Sequence, residues 1–171
     1  MGNEVMEPMA ETKIDPRAFR DAMGCFATGI TVISALTTDG EPVGMTVNSF
    51  SSVSLDPPLI LYSLARSASR FNEFARAERF VVNVLGQSHE PLSTRFATRG
   101  VSGWEDVAHD RCEDGCPALA DALAVFECVT EARHDGGDHV IVVGRVERVR
   151  QSPAGEPLLF YRGAYSRIAT G

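Results

Sequence analysis

Several features that mark common classes of protein are missing from this chain of 171 residues. No apolar run approaches the roughly 20 residues that a membrane-spanning helix needs, and the first residues lack the apolar core of a signal peptide. Positive charge is in deficit, since the net charge is −7, and this argues against nucleic acid as a general partner. We therefore expect a cytoplasmic protein that binds neither membranes nor nucleic acid.

Cysteine is scarce as well, with four in the chain and no dense spacing that would indicate a disulfide framework. Cys112 and Cys116 are the first and last residues of the segment C-E-D-G-C, and His109 is nearby. Together these residues would make half of a zinc site. The other pair of ligands is missing because Cys128 stands alone in a predicted strand. We therefore interpret the cysteines as reduced thiols and predict no metal site.

Common catalytic motifs are absent too. The sequence contains no nucleophile elbow, no P-loop, no H-E-x-x-H and no glycine-rich dinucleotide fingerprint after a strand. If this protein binds a nicotinamide nucleotide, it does so without a Rossmann domain. The chain also lacks internal repeats and low-complexity tracts.

What is present is typical of an ordinary globular domain. Hydrophobic residues make up 44% of the chain and charged residues 23%, and one domain is the natural expectation at this length. Residues 1–13 show no periodicity, and we predict that they form a disordered lead-in. Residues 14–171 are predicted to form a single domain.

The periodicity of the chain predicts mostly strands. Asp15 and Pro16 suit the start of a helix, whose apolar residues Phe19, Met23 and Phe26 should be buried. Further helices are predicted to begin at 67–70 and to span 88–97, with strands at 30–36, 43–50, 59–64, 79–85, 125–133, 140–149 and 157–168. Residues 98–115 indicate a long surface segment, which could be a lid, a contact surface or a simply mobile loop. We predict a mainly β fold, a small barrel with peripheral helices.

A polar stretch between two of these strands is the most unusual feature of the sequence. Residues 44–58 crowd short hydroxyl and amide side chains into a segment that should otherwise be sheet, and Gly44 would let a ligand approach the backbone closely. One interpretation is a planar, heteroatom-rich ligand lying against the strand edges. The other is an ordinary solvated loop before Pro57 and Pro58, whose hydroxyls satisfy local backbone groups.

The segment 66–70 also allows two interpretations. Ser67 or Ser69 could cap the predicted helix. Alternatively, the free N–H groups at a helix start, with the guanidinium groups of Arg66 and Arg70, could bind a phosphate.

Two segments near the C-terminus carry further candidates. His134 and His139 flank the turn D-G-G-D, where they could shape the turn, bind a metal, or, for His139, face a ligand cleft. Gly136 and Gly137 would supply the positive φ angles of that turn. Arg162 lies between Tyr161 and Tyr165, either as a sheet-edge cation packed on aromatic rings or as the grip on an anionic or aromatic ligand.

Five blocks of sequence together resemble one family. They are F-A-T-G-I-T-V-I at 26–33, G-M-T-V-N-S-F-S-S-V-S-L-D-P-P-L at 44–59, R-F-V-V-N-V-L at 79–85, H-D-G-G-D-H at 134–139 and P-L-L-F-Y-R-G-A-Y at 157–165. In this order they resemble the flavin reductase-like domain, the FMN-binding split barrel. The resemblance covers nearly the whole chain, from about residue 15 to residue 168.

The resemblance implies a split β-barrel of Greek-key type and the reductase component of a two-component flavin-dependent monooxygenase. Such a reductase oxidises NADH or NADPH to reduce FMN or FAD, and the reduced flavin diffuses to a separate oxygenase. A homodimer with flavin near the subunit interface is implied as well. A flavoprotein oxidoreductase that retains its flavin and a non-catalytic flavin-binding module are the alternatives. FMN against FAD, NADH against NADPH, and the identity and substrate of the oxygenase stay open.

Site residues follow from the resemblance by position. The flavin ring is assigned to Pro42, Val43, Gly44, Met45, Thr46, Asn48 and Ser49 with Ser51 beside them, its ribityl chain and phosphate to Ser63, Leu64, Ala65, Ser69 and Arg70, and further contacts to Arg95 and Phe96. The nicotinamide nucleotide is assigned to His139, Tyr161, Arg162 and Gly163. Hydride transfer from nicotinamide to flavin needs stacking of two rings more than acid–base machinery. His139 is the predicted catalytic residue, orienting the nicotinamide or stabilising charge on the reduced flavin.

Overall fold

The computed structural model of the protein describes residues 13–99 and 103–169. The predicted disordered lead-in over residues 1–13 therefore lies, except for Lys13, outside the described residues. The α-helices of the described part are α1 (Pro16–Met23), α2 (Phe71–Arg76) and α3 (Glu90–Ala97), and a 3-10 turn at Gln87–His89 leads into α3.

Strands make up most of the regular structure, so the predicted mainly β fold is confirmed. They are β1 (Thr28–Gly29), β2 (Thr31–Leu36), β3 (Pro42–Val47), β4 (Ser51–Leu55), β5 (Pro58–Ala65), β6 (Arg79–Val84), β7 (His109–Arg111), β8 (Pro117–Leu119), β9 (Ala124–Gly136), β10 (His139–Gln151), β11 (Leu159–Tyr161) and β12 (Ala164–Ser166). The strand predicted for 43–50 ends at Val47, so the polar stretch includes the end of β3, a short connection and all of β4.

One antiparallel sheet of seven strands organises the molecule, in the order β3-β2-β6-β9-β10-β5-β4. Strands β2 and β6 are buried on both faces: in β2, Val32 belongs to one apolar cluster and its neighbour Ile33 to another. Successive side chains of a strand point to opposite faces. The alternation along β2 therefore builds two cores, one on each face of the sheet.

Helix α1 begins as predicted but packs differently. The Asp15 carboxylate accepts hydrogen bonds from the backbone N–H groups of Arg17 and Ala18, which is the expected N-cap. The predicted burial of its apolar side chains is wrong within this chain, because Phe19, Met23 and Phe26 are 56%, 58% and 74% exposed. The helical periodicity is real, but no element of the described chain covers this face.

The C-terminal strand predicted for 157–168 is instead a hairpin of β11 and β12, added to β1 as a small second sheet. The turn residues Arg162 and Gly163 have φ angles of +49° and +79°. The N–H of Arg162 donates to the carbonyl of Gly24 at 2.9 Å. This hydrogen bond ties the turn to the end of α1.

Two smaller expectations also change. In the β9–β10 hairpin, Gly137 has a φ of +73°, whereas Gly136 is the last residue of β9 and not a positive-φ residue. Residues 98–115 were expected at the surface, but in the described part Trp104 and Val107 are buried in one of the two cores, and β7 pairs with β8. The aromatic ring of Trp104 packs 4.9 Å from that of Phe96, which explains why this segment is drawn inward.

Candidate functional site

A cavity of about 330 Å³ lies where the end of β3, the end of β5, the segment before α2 and the end of α3 meet. Its lining is Gly44, Met45, Thr46, Val47, Asn48, Ser49, Ser63, Ala65, Ser67, Ala68, Ser69, Arg70, Phe96, Ala97, Thr98, Arg99 and His139. We call it the β3 cavity. Most of the residues predicted to bind flavin are therefore brought together here, although they come from four separate segments.

Hydrogen bonds of the protein itself fix the floor of the β3 cavity. The N–H of Ser63 donates to the Ser49 hydroxyl at 2.9 Å, and that hydroxyl lies 3.2 Å from the carbonyl oxygen of Ser63, to which it donates. The pair joins the connection after β3 to strand β5. The Ser49 hydroxyl is therefore bonded within the protein. This segment presents the main-chain groups around Ser49 to a ligand.

Helix α3 forms a wall of the cavity by packing closely on β3. The Thr46 hydroxyl donates to the carbonyl of Ser93 at 2.7 Å. A Cβ atom at Gly44 would lie 2.5 Å from ring carbons of Phe96, and one at Gly103 would lie 2.6 Å from the same ring. The two glycines therefore form the slot that holds the ring of Phe96, while Gly44 also lines the cavity.

One end of the cavity is cationic. Arg70 and Arg99 both line it; the guanidinium of Arg70 lies 3.2 Å from Glu73, and that of Arg99 donates to the carbonyl of Ser67 at 3.2 Å. Serine hydroxyls of the 65–70 turn lie beside them. A hydroxyl-bearing turn with two guanidinium groups suits an anion such as a phosphate.

The predicted serine cap of α2 is wrong. Arg70 occupies the N-cap position without a side-chain hydrogen bond to the helix. The preceding residues form turns of their own, with the N–H of Ala68 bonded to the carbonyl of Ala65 and the N–H of Phe71 bonded to that of Ala68. These turns place Ser67 and Ser69 in the cavity lining rather than at the helix end.

The second cation of the cavity is not the one predicted. Arg66 forms an ion pair with Asp135 and donates to the carbonyl of Gly137 at 3.1 Å, so its guanidinium holds the tip of the β9–β10 hairpin. Arg99 takes the expected role instead. Its position just beyond α3, three residues after Phe96, was the available signal, and sequence reasoning missed it together with Val47, Ala97 and Thr98.

His139 also lines the cavity, because it is the first residue of β10 and pairs with Ala65 at the end of β5. Its Nδ1 lies 2.7 Å from a carboxylate oxygen of Asp138. The hydrogen bond from His139 lowers the pKa of Asp138 below its usual value. His134 is exposed and is not part of this lining, so the two histidines of the turn are not equivalent.

A second, larger hollow of about 780 Å³ lies beside the first. We call it the α1 cleft; its lining is Arg20, Met23, Gly24, Phe26, Ala27, Thr28, Gly29, Asn48, Ser49, Phe50, Ser51, Phe160, Arg162 and Gly163. Asn48 and Ser49 line both hollows and so separate them. The predicted nucleotide residues are thus divided, with His139 at the β3 cavity and Arg162 and Gly163 at the α1 cleft.

The remaining predicted residues line neither the β3 cavity nor, except for Ser51, the α1 cleft. Val43 and Leu64 point into the core, because they alternate with cavity residues along β3 and β5. Arg95 lies 3.5 Å from Glu105. Pro42 is the first residue of β3, and the ring of Tyr161 packs under the Arg162 guanidinium with 5.3 Å between centroid and Cζ.

The cysteine segment shows no metal-binding geometry. Among residues 13–99 and 103–169, no group of three or more His, Cys, Asp or Glu side chains could hold a metal ion. Burial raises the pKa of Cys112 and of Cys116 to about 12, so both thiols are protonated at neutral pH. His109 lies with its Nδ1 2.8 Å from the carbonyl of Val107.

Across the described helices, none has the length and apolar character to span a bilayer.

Comparison with known proteins places this fold and cavity in one family. The sequence pattern of the flavin reductase like domain matches residues 23–169. This match covers most of the chain, and the chain belongs to the flavin reductase like domain family.

Individual relatives are similar over nearly the whole chain. The FMN reductase (NADH) SmoA of Agrobacterium fabrum is 47% identical over 90% of this chain and 86% of its own length. The flavin-dependent monooxygenase reductase subunit HsaB of Rhodococcus jostii is 38% identical over 94% and 82%. The NADH:FAD oxidoreductase SgcE6 of Streptomyces globisporus, solved with NAD and FAD fragments, has a TM-score of 0.85 and 36% identity over 91% of this chain and 96% of its own.

The share of a relative that this chain spans varies. The match covers 86% of the length of the Agrobacterium protein. It covers 50% of the length of a relative from Rhizobium meliloti, which is 43% identical to this chain over the matched region. Some relatives are therefore about twice the length of the matched region.

Proposed function

We propose that this protein is a flavin reductase that oxidises NADH or NADPH, reduces FMN or FAD, and supplies the reduced flavin to a separate monooxygenase component. The observation that carries the proposal is the β3 cavity, in which an open strand edge, a hydroxyl-bearing turn and the cations Arg70 and Arg99 converge. The similarity to an FMN reductase (NADH) and to a monooxygenase reductase subunit supports the same activity.

The groups lining the β3 cavity suit a flavin. Among the described residues, strand β3 is at the edge of its sheet and has no neighbouring strand on its outer side, so its backbone N–H and C=O groups there can bond the polar atoms of a planar ring. Ser67, Ser69, Arg70 and Arg99 lie where a phosphate would be held. Phe96 provides an apolar wall between these polar parts.

The mechanism requires little beyond positioning. A bound flavin supplies N5 as the acceptor of a hydride from nicotinamide C4. Main-chain groups of β3 and the adjoining Asn48 and Ser49 would hold the ring, and the α1 cleft, which Asn48 and Ser49 also line, would receive the hydride donor. His139, hydrogen-bonded to Asp138, orients the nicotinamide or stabilises negative charge on the ring. Tyr161, Arg162 and Gly163 form the nucleotide side.

Weak binding of the flavin is consistent with its release. The Thr46 and Ser49 hydroxyls are bonded within the protein, and Arg70 and Arg99 are shared with Glu73 and a backbone carbonyl. A ligand held by partly committed groups binds less tightly than one in a dedicated clamp, because bonds to the protein must be shared or exchanged. This favours a diffusing flavin over the alternative of a retained one.

The proposal includes the split-barrel form of the fold, built as one domain over residues 14–171. Strands β3 and β4 are at the two ends of the seven-stranded order, yet only residues 48–50 connect them. Four Cα steps reach about 15 Å at most, so the sheet curls until its ends approach without pairing. The four free cysteines suit a reducing compartment, and we place the protein in the cytoplasm.

A homodimer is the finer part of the proposal. Phe19, Met23 and Phe26 form an exposed apolar face, and Met23 and Phe26 also line the α1 cleft. Contiguous exposed apolar surface of this kind marks an interaction site. A second copy of the chain packed on it would bury the face and enclose the cleft at the subunit interface.

Anaerobic oxidation of NADH and NADPH by the purified protein, with and without FMN, FAD or riboflavin, tests the function. We expect turnover that rises with the concentration of free flavin, and reduced flavin that passes through a dialysis membrane. Oxidation of a single bound equivalent would identify a flavoprotein that retains its flavin. Flavin binding without oxidation of either nucleotide would identify a non-catalytic binding module.

A further inference from the structure

The α1 cleft has a lining unlike that of the β3 cavity. Its aromatic side chains are Phe26, Phe50 and Phe160, and its charged side chains are Arg20 and Arg162. No aspartate or glutamate belongs to this lining. Flat apolar surfaces together with two unopposed cations match a ligand in which planar rings are joined by a strongly anionic group.

Among the described residues, neither guanidinium has a carboxylate partner. Within the described residues, no carboxylate lies within ion-pair distance of Arg20, and the recorded side-chain partner of Arg162 is the ring of Tyr161. Asp21 lines a smaller hollow of about 510 Å³, which Arg20 and Arg162 also line, but it forms no recorded ion pair with either arginine among the described residues. The arginines of the β3 cavity and of the β9–β10 hairpin, in contrast, all have protein partners.

The local backbone holds the two arginines in a common place. Arg162 has a φ of +49° in its turn, a conformation that Gly, Asn or Asp adopts far more readily. Its N–H bonds to the carbonyl of Gly24, one residue beyond the helix that carries Arg20. A sequence that needed only the turn would have a small residue here, so the side chain itself is the reason for arginine.

We propose that Arg20 and Arg162 together bind the diphosphate of the nicotinamide dinucleotide in the α1 cleft. This rests on the proposed function and names the group that recognises the hydride donor. Bidentate guanidinium contacts are the strong form of phosphate recognition. The cleft is separated from the β3 cavity by Asn48 and Ser49 alone, so a dinucleotide anchored by its diphosphate extends its nicotinamide toward the flavin.

Steady-state kinetics of Arg20→Gln with two hydride donors tests the proposal. NADH carries the diphosphate, whereas 1-benzyl-1,4-dihydronicotinamide carries no phosphate. We expect the KM for NADH to rise about tenfold, as for the loss of one charge-assisted hydrogen bond. The rate with the benzyl compound and the KM for FMN should change less than about twofold. Inorganic pyrophosphate should inhibit the native protein competitively against NADH, and Arg20→Gln more weakly.

Arg17→Gln is the matched control, because Arg17 is on the same helix and lines neither hollow. Equal changes in Arg17→Gln and Arg20→Gln would reduce the effect to general charge and overturn the proposal. So would an unchanged KM for NADH, or an equal loss with both donors. An Arg20→Gln protein with unchanged nucleotide kinetics but weaker self-association would assign the arginine to a subunit contact instead.

The proposed function can fail separately. If the native protein oxidised neither nucleotide with any flavin, the reductase activity would be refuted. Calorimetric titration of NAD⁺ into the native protein and into Arg20→Gln would still decide the diphosphate site: we expect binding weakened about tenfold by the substitution, and equal binding would overturn it.

Discussion

The β3 cavity and the α1 cleft share two residues but are constructed in contrasting ways. In the β3 cavity, the side chains of Thr46, Ser49 and Arg99 are hydrogen-bonded to other parts of the same chain. In the α1 cleft, Phe26 is three-quarters exposed and Arg20 has no ion-pair partner among the described residues. The polar groups of the β3 cavity are thus bonded within the chain, whereas apolar and cationic groups of the α1 cleft are left without partners among the described residues.

This difference assigns different tasks to the two hollows. A cavity whose polar groups are already bonded keeps its shape before a ligand arrives, so less ordering is required on binding. A cleft of exposed aromatic and cationic groups gains free energy when a partner removes its apolar surface from water. Substitutions in the two hollows should therefore have effects of different kinds.

The largest effect is expected from a substitution in the α1 cleft. Phe26→Glu places a charge in the proposed dimer interface, once for each subunit. Burial of a phenylalanine contributes about 1.5–3 kcal/mol, so we expect the dimer dissociation constant to rise by about 100-fold or more. Sedimentation velocity measures this change. Val149→Glu, at an exposed apolar position of β10, is the control; equal dissociation in both variants, or in neither, would contradict an interface at α1.

The next largest effect is expected from a substitution that fills the slot in the wall of the β3 cavity. In Gly44→Ala, the new methyl group would overlap the ring of Phe96. Such overpacking costs about 1–3 kcal/mol of stability, and we expect the displaced ring to weaken flavin binding at least tenfold. Thermal unfolding and quenching of flavin fluorescence measure the two effects. Gly86→Ala, whose new Cβ would have its nearest neighbour at 3.4 Å, should leave flavin binding unchanged.

A smaller effect separates the structural role of a hydroxyl from a ligand role. Thr46→Val removes the hydrogen bond to the Ser93 carbonyl and should lower the free energy of unfolding by about 1 kcal/mol. We expect flavin affinity to fall only a few-fold, through loosening of α3. Thr46→Ser should retain both properties. A large loss of flavin affinity at unchanged stability would mean that the hydroxyl turns to the ligand.

The smallest effect is electrostatic. The hydrogen bond from His139 lowers the pKa of Asp138, so the contribution of this pair to stability is present above the usual aspartate pKa of about 4 and is lost as the pH falls through the lowered value. In His139→Ala, the pKa of Asp138 should return upward, with no change in this carboxylate near neutral pH. Carbon NMR of the carboxyl group measures it. An unchanged Asp138 titration would show that the contact does not form in solution.

Local patterns in the sequence predicted most of the elements well. The alternation around 30–36 and 79–85 and the turn chemistry near Gly137 correspond to β2, β6 and the β9–β10 hairpin. The cavity lining was predicted largely through the family resemblance, because it gathers segments that no local pattern connects. Where a residue alternates with cavity residues, as Leu64 does, strand geometry corrects the assignment.

The errors have a common physical origin in contacts distant along the chain. The lack of a side chain at Gly44 also makes room for the ring of Phe96, 52 residues later, which no local pattern indicates. Arg66 and Arg99 are equally basic in sequence, and the carboxylate of Asp135 decides which one remains at the cavity. For α1, the apolar periodicity showed that a face must be covered, but periodicity does not indicate which molecule covers it.

The unpaired edge of β3 has a consequence for how such a protein changes over evolutionary time. Main-chain N–H and C=O groups are the same for every residue type except proline, so the proposed recognition of a ring through them would place few demands on side-chain identity. The side chains along β3 are then restrained by their neighbours: Gly44 by Phe96, and Thr46 by Ser93. Sequence drift at this edge should follow compensating changes in α3, while the flavin chemistry is inherited unchanged.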